Sequence, residues 1–212
     1  MVEREIKIGG SRIAFLPVIH GLMEEEKKVE EAIKNFNPDC IAIGISKEDV
    51  EAIKNYDASM EMPPQHEYYL LFLSNYGKVS VPPPDIKKAY EMALKNGVEL
   101  SAIDVDDDEY ADLLIRNVSI ISLIRQGRKI KKLAKKRFKA KNAKEFVFEW
   151  DNYMTSIKAF KRIEEAREKK MAENLVKLAK KFKKILAIVP LERYDGIIKK
   201  IEHSTNLKMM DR

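Results

Sequence analysis

The sequence predicts an α/β protein: a central, mostly parallel or mixed sheet with flanking helices and a long helical insertion before the last strand. Three observations carry that expectation. Short apolar runs of strand length at 40–45, 98–104 and 185–189 alternate with segments of helical spacing. Strands separated by helices imply parallel neighbours. Residues 107–182 show helical patterning throughout and no strand-like run.

Taken in order, residues 3–15 alternate apolar and polar side chains around Gly9-Gly10, which predicts a hairpin with Ile6, Ile8, Ile13 and Phe15 inward and a second strand reaching Ile19. From Met23 the spacing becomes helical, with Val29, Ala32, Ile33 and Phe36 on one stripe and Asn37-Pro38-Asp39 as the stop. The continuous apolar run 40–45 predicts a strand covered on both faces. Ser46 with Asp49 three residues on forms a capping-box variant, opening a helix to Tyr56. A loop is expected over 57–65 and an apolar helix over 66–76, ended by Gly77. Pro82-Pro83-Pro84-Asp85 is a rigid helix entry, and Asn96-Gly97 closes that helix in left-handed fashion. After the strand 98–104, Asp107 or Asp108 is expected to cap a long helix through Ile124, with three more helical stretches over 128–182. A strand at 185–189 and a helix over 193–202 complete the pattern. With no internal repeat or low-complexity linker, the chain reads as one domain, 1–212, with a helical excursion at about 107–182.

The 212 residues carry 40 Lys+Arg against 34 Asp+Glu, a formal charge of +6. No apolar stretch approaches the roughly 20 residues of a membrane span. Glu3 and Glu5, where a signal peptide would be basic, do not suit one, and the single cysteine, Cys40, can form neither an internal disulfide nor a multi-cysteine metal site. A cytoplasmic location is the expectation. Abundant Lys and Glu with only two glutamines, Gln65 and Gln126, also suit a thermophile. The sequence contains no nucleophile elbow, phosphate-binding glycine loop or dinucleotide fingerprint.

The stretch Val18-Ile19-His20-Gly21, the following helix, Pro38-Asp39-Cys40-Ile41-Ala42-Ile43 and then 46–53 resemble the start of the TraB/PrgY family, part of a wider set with the TIKI proteases, ChaN-like proteins and erythromycin esterases. Ala89, Tyr90, Ala93, Gly97, Ile103-Asp104-Val105-Asp106, Arg167, Met171-Ala172, 185–189 and Gly196-Ile197 continue the resemblance in the right order. It implies a divergent member. Of the family's glycine-threonine-alanine-histidine run only His20 remains. Gly44 and Ser46 stand where relatives carry a glutamate and an aspartate, and Arg193 stands at the place of a second histidine. The chain also lacks the membrane helices that follow this domain in many relatives.

Three groups of candidates follow. His20, at the C-terminal end of a predicted strand, and Asp104 and Asp106 after the middle strand are the catalytic candidates; the same three are the ligands of a divalent metal under the reading of a metal-dependent, peptidase-like hydrolase. Arg167 and Arg193, with Glu192 beside them, are candidates for gripping an anionic small molecule or peptide, because guanidinium groups bind phosphate and carboxylate bidentately. Arg167 has a second explanation, a surface pair with Glu164. The third group is a basic helix. Residues 125–144 hold eleven Lys or Arg and no acidic residue, which leaves the rest of the chain at −5. Lys131, Lys132, Lys135 and Lys136 could contact nucleic acid phosphates, or the face could rest on an anionic membrane. The expectation formed here is a non-catalytic binding domain using an ancestral cleft and needing no cofactor. The metal hydrolase is its alternative, nucleic-acid binding is weaker still, and a homo-oligomer remains open.

Overall fold

The computed structural model of the chain describes residues 2–56 and 62–210. The expected loop over 57–65 lies largely outside the described residues. The hairpin forms as its alternation demands: β1 (Arg4–Ile8) pairs antiparallel with β2 (Ser11–Val18), Ile6 opposite Ile13, and Gly9 takes the left-handed turn position at φ 59°. Ile13 and Phe15 are fully buried, and Ile6 and Ile8 pack on the same cluster. Helix α1 (Glu24–Phe36) buries Val29, Ala32, Ile33 and Phe36 and stops at Asn37, φ 48°. The strand β3 (Cys40–Ile43) is covered on both faces. Helix α2 (Lys47–Lys54) starts with the full capping box, Ser46 Oγ accepting from Asp49 N and Asp49 Oδ2 from Ser46 N. Helices α3 (Pro64–Leu73) and α4 (Pro84–Asn96) follow, the latter closed by Gly97 at φ 62°.

After β4 (Glu99–Ala102) the structure departs from the expected long helix. It contains two helices, α5 (Asp107–Asn117) and α6 (Ile120–Lys131), because Val118 is extended and Ser119 recaps the chain through Ser122 N. The cap of α5 is Asp106, in a complete box with Glu109, and neither Asp107 nor Asp108. Nor is 125–144 one basic helix: α6 ends at Lys131, a single 3₁₀ turn spans Leu133–Lys135, and no helix resumes before α7 (Ala143–Met154). Helix α8 (Lys158–Leu178), β5 (Lys184–Pro190) and α9 (Leu191–Met210) complete the chain.

Among the described residues the sheet has five strands in the order β1-β2-β5-β3-β4, parallel except for the β1 hairpin. The fold is therefore α/β with a mixed, mostly parallel sheet. One face packs on α1 and α4, through residues such as Val29, Ile33, Ile86 and Met92 against Leu16, Ile41 and Leu186. The other packs on α8 and α9, through Met171, Leu175, Ile197 and Ile201 against Phe15, Ile185 and Ala187. Each such fully buried aliphatic side chain stabilises the fold by roughly 1.5–3 kcal/mol. A third, aromatic cluster joins α3 to α7 around the fully buried Phe146, with Tyr69, Phe138 and Trp150 within 6.0 Å of its ring. No described helix is long and apolar enough to cross a membrane.

Candidate functional site

All four parallel strands end at the same sheet edge. His20 follows β2, Gly44 to Ser46 follow β3, Asp104 follows β4, and Glu192 with Arg193 begin α9 directly after β5. Beyond β2 the chain crosses to the face of α1, whereas beyond its neighbour β5 it crosses to the opposite face, that of α9. Adjacent parallel strands whose connections diverge in this way leave a crevice between them. Here it is a cleft of about 730 Å³, lined by His20, Ser46, Asp104, Arg167, Glu192 and Arg193, by Tyr69 and Gln126, and by Trp150, Asp151 and Glu164 from the helical insertion.

His20 is held by a residue whose importance sequence reasoning missed. Its Nδ1 lies 2.6 Å from Oδ2 of Asp85, a carboxylate at the start of α4 that is wholly buried. The Nε2 of His20 and the Oδ1 of Asp85 are buried with no hydrogen-bond partner among the described residues. Burial alone would lower the basicity of the imidazole. The charge and hydrogen bond of Asp85 outweigh it, aided by Glu192 and Glu25, and raise the His20 pKa above 6.5. Asp85 thus orients the ring and leaves the buried Nε2 as its unpartnered nitrogen among the described residues. Nearby, Glu25 of α1 is buried with its Oε1 accepting from Lys28 at 2.7 Å and its Oε2 unpartnered among the described residues, and burial raises its pKa. Burial likewise raises the pKa of Glu192.

The two arginines expected to bind an anion both line the cleft, and both are engaged. Arg167 donates from Nε and Nη2 to Asp104 Oδ2 at 3.1 and 2.5 Å, and from Nη1 to Glu164 Oε2 at 2.8 Å. Arg193 pairs with Asp151, with Glu164 at 3.3 Å and with Glu168 at 3.5 Å. Lys200 reaches Glu168 at 3.3 Å. In this network two guanidinium groups and one ammonium face four carboxylates, so the wall carries a net negative charge. Burial pushes the Asp151 pKa up against the opposing pull of Arg193. The pairing of Arg167 with Glu164 occurs as the helix spacing suggested, but inside the cleft.

The expected metal triad is not brought together. His20 spends Nδ1 on Asp85; Asp104 accepts from Arg167 and from Val105 N at 2.7 Å. Asp106 is consumed as the α5 cap, accepting from Glu109 N at 2.9 Å and from Lys47 at 3.0 Å, contacts that hold its pKa down. Among the described residues no three His, Cys, Asp or Glu side chains stand where they could share a metal ion. Lys131, Lys132, Lys135 and Lys136 lie outside the cleft, Lys136 sitting 5.1 Å from the Phe138 ring centroid. Cys40 is buried in β3 and its thiol is pushed up to about 12 by burial, so it behaves as an apolar side chain. His66 is exposed and borders the cleft, where desolvation by its surroundings lowers its pKa.

The chain matches no protein-family model and no curated protein. The site must be read from its own chemistry. Besides Asp85, sequence reasoning passed over Glu25, Asp151 and the inward placement of Glu164. Glu25 was hidden in the run Glu24-Glu25-Glu26, which looks like ordinary acidic enrichment at a helix start.

Proposed function

We propose that the protein is a ligand-binding domain, a divergent relative of the TraB/PrgY domain, whose cleft takes a short peptide or a small amide bearing a basic group. The kinship rests on the ordered stretches along the sequence. The binding role rests on one observation above all, the buried and unpartnered Nε2 of His20 at the cleft. A buried polar atom without a partner costs about 1–3 kcal/mol, a cost that a ligand completing its hydrogen bonds removes. A carbonyl oxygen suits the N–H of the imidazolium, the form that Asp85 favours. The sign of the ligand follows from the arginines. Arg167 and Arg193 are already neutralised by Asp104, Asp151, Glu164 and Glu168, and this favours a basic group over the anionic molecule that two free guanidinium groups would hold. Tyr69 and Trp150, 5.4 Å apart between ring centroids, offer apolar and cation–π surface beside these acids.

The test is ligand-observed NMR with two pools of short peptides, one rich in Lys and Arg and one rich in Asp and Glu, read together with the His20 imidazole resonances. The basic pool should bind and shift the His20 Nε2 signal, and Asp151→Asn should weaken it about tenfold. Preference for the acidic pool, or binding that leaves His20 unshifted, would overturn the reading. A second reading rests on the same His20 and Asp85 geometry: an oriented imidazole is a general base, and the cleft would hydrolyse the bound amide without a metal. Metal-independent cleavage of the basic pool, absent in His20→Ala and Asp85→Asn, is the outcome that distinguishes it.

A further inference from the structure

Helix α6 is built inside out. A surface helix ordinarily turns its apolar stripe to the core. In α6 polar side chains take inward positions beside Ile130: Gln126 is buried with its Nε2 donating to Met154 O at 3.3 Å, and Lys129 donates to Ser156 Oγ at 2.6 Å and to Tyr153 O. The outward positions are large and apolar. Ile120, Ile121, Leu123 and Ile124 are 76%, 70%, 52% and 50% exposed, and Ile115, at the end of α5, is 79% exposed. Globular monomers rarely present so contiguous an apolar surface unless it meets something.

The same helix then runs into the basic stretch 125–144, with eleven Lys or Arg and no acid. Arg125, Arg128, Lys131 and Lys132 are exposed. A covering partner has to satisfy both features. Duplex nucleic acid would neutralise the cations and leave four branched apolar side chains against phosphates and water. A second copy of the chain would cover the isoleucines but bring two basic stretches together across the symmetry axis, where like charges repel. A bilayer with negatively charged headgroups answers both, hydrocarbon for the apolar turns and phosphate for the cations, which is the pattern of interfacial helices.

We propose that α6 docks the protein on an anionic lipid bilayer, with Ile120, Ile121, Leu123 and Ile124 in the boundary between headgroups and acyl chains and the exposed Arg125, Arg128, Lys131, Lys132 and Lys135 on the headgroups. The break at Val118 and the recap at Ser119 make α6 a helix separate from α5, with the side chains of its first apolar turns exposed. Gln126 also lines the cleft, so docking sets one wall of the ligand site against the membrane surface.

Vesicle flotation of the full chain tests this, using two parts phosphatidylcholine to one part phosphatidylglycerol, with pure phosphatidylcholine as control. The protein should float with the anionic vesicles and not with the neutral ones. The variant Ile120→Ser, Ile121→Ser, Ile124→Ser and the variant Lys131→Gln, Lys132→Gln, Lys135→Gln should each lose about tenfold or more in partitioning, with melting curves like the parent because all six positions are exposed. Absence of flotation at low salt overturns the proposal. So does a serine variant that binds like the parent, which would mean electrostatic adsorption without insertion. A dimer in sedimentation that the serine variant dissolves, without vesicle binding, would assign the face to a second copy, and tighter binding to duplex DNA than to vesicles would assign it to nucleic acid.

Discussion

At the scale of single residues, the acids around His20 set how stability responds to pH. The folded pKa of Glu25 lies above its ordinary 4.5, so protonation favours the folded state. Its stabilising contribution is fully present below pH 4.5 and is lost as the pH rises through the raised folded value. His20 acts in the same direction: its contribution is complete below 6.5 and disappears as the pH rises through its raised folded value. These two groups should therefore make stability fall as the pH rises from about 4.5, while Asp106, whose pKa is held down, acts the other way and withdraws its contribution as the pH falls below its ordinary 3.8. Glu25→Gln keeps the shape of the protonated acid and removes the buried charge, at the loss of a Lys28 pair whose ammonium is half exposed and contributes only a few tenths of a kcal/mol. The variant is expected to be more stable than the parent by about 1 kcal/mol at about pH 8 and equal to it near pH 4.5, as read by urea unfolding. A less stable variant at alkaline pH would show the Lys28 pair to dominate. His20 was legible in the sequence because of its place at a strand end. Its partner Asp85 was not, because an acid in the first turn of a proline-led helix satisfies every local rule, and only the packing of α4 beside β2 gives it a second role.

At the scale of elements, the ends of β3 and β5 explain why position 44 is glycine. A Cβ built on Gly44 would lie 2.7 Å from Pro190 Cδ and 3.3 Å from the Val189 backbone. That space is filled by Pro190, the last residue of β5, so no side chain fits. Gly44→Glu is expected to cost roughly 2–3 kcal/mol through overpacking, measured by denaturant unfolding, and to create no metal affinity in calorimetry with Mn²⁺. A stable, metal-binding variant would mean that the strand ends move apart readily. The elements themselves were largely readable. The capping box at Ser46, the left-handed stops at Asn37 and Gly97 and the hairpin at Gly9 each rest on local geometry, which neighbouring residues determine. The α5 cap was misplaced by one residue because Asp106, Asp107 and Asp108 are equivalent as local donors of a carboxylate, and only Asp106 stands where the chain leaves the sheet edge.

At the scale of the whole molecule, β5 is the last strand in the chain and the middle strand of the sheet. It pairs with β2 on one side and β3 on the other, and Ile185 to Val189 are entirely buried. Until it is in place, β2 and β3 have no mutual partner and both helical layers lack their common floor. A fragment ending at residue 182 should therefore show no cooperative unfolding transition by circular dichroism, and Leu186→Ala in the full chain should cost about 2–5 kcal/mol. A fragment that melts cooperatively would show that the hairpin and β3 assemble without the closing strand.

The sequence by itself determined the α/β class, the helix stops at Asn37 and Gly97, the capping box at Ser46 and the edge at which His20, Asp104, Glu192 and Arg193 gather, since periodicity, turn residues and strand ends are local properties of the chain. The tertiary structure decided what those residues do. It turned Arg167 and Arg193 from anion grips into partners of carboxylates contributed by α7 and α8, drew Asp106 away as a cap, joined His20 to Asp85, and left the apolar turns of α6 facing outward. The physical reason is that charge state and availability depend on which groups lie within a few ångströms in space, and the groups that settled them here, Asp85 for His20, Asp104 for Arg167 and Asp151 for Arg193, are far from them in sequence.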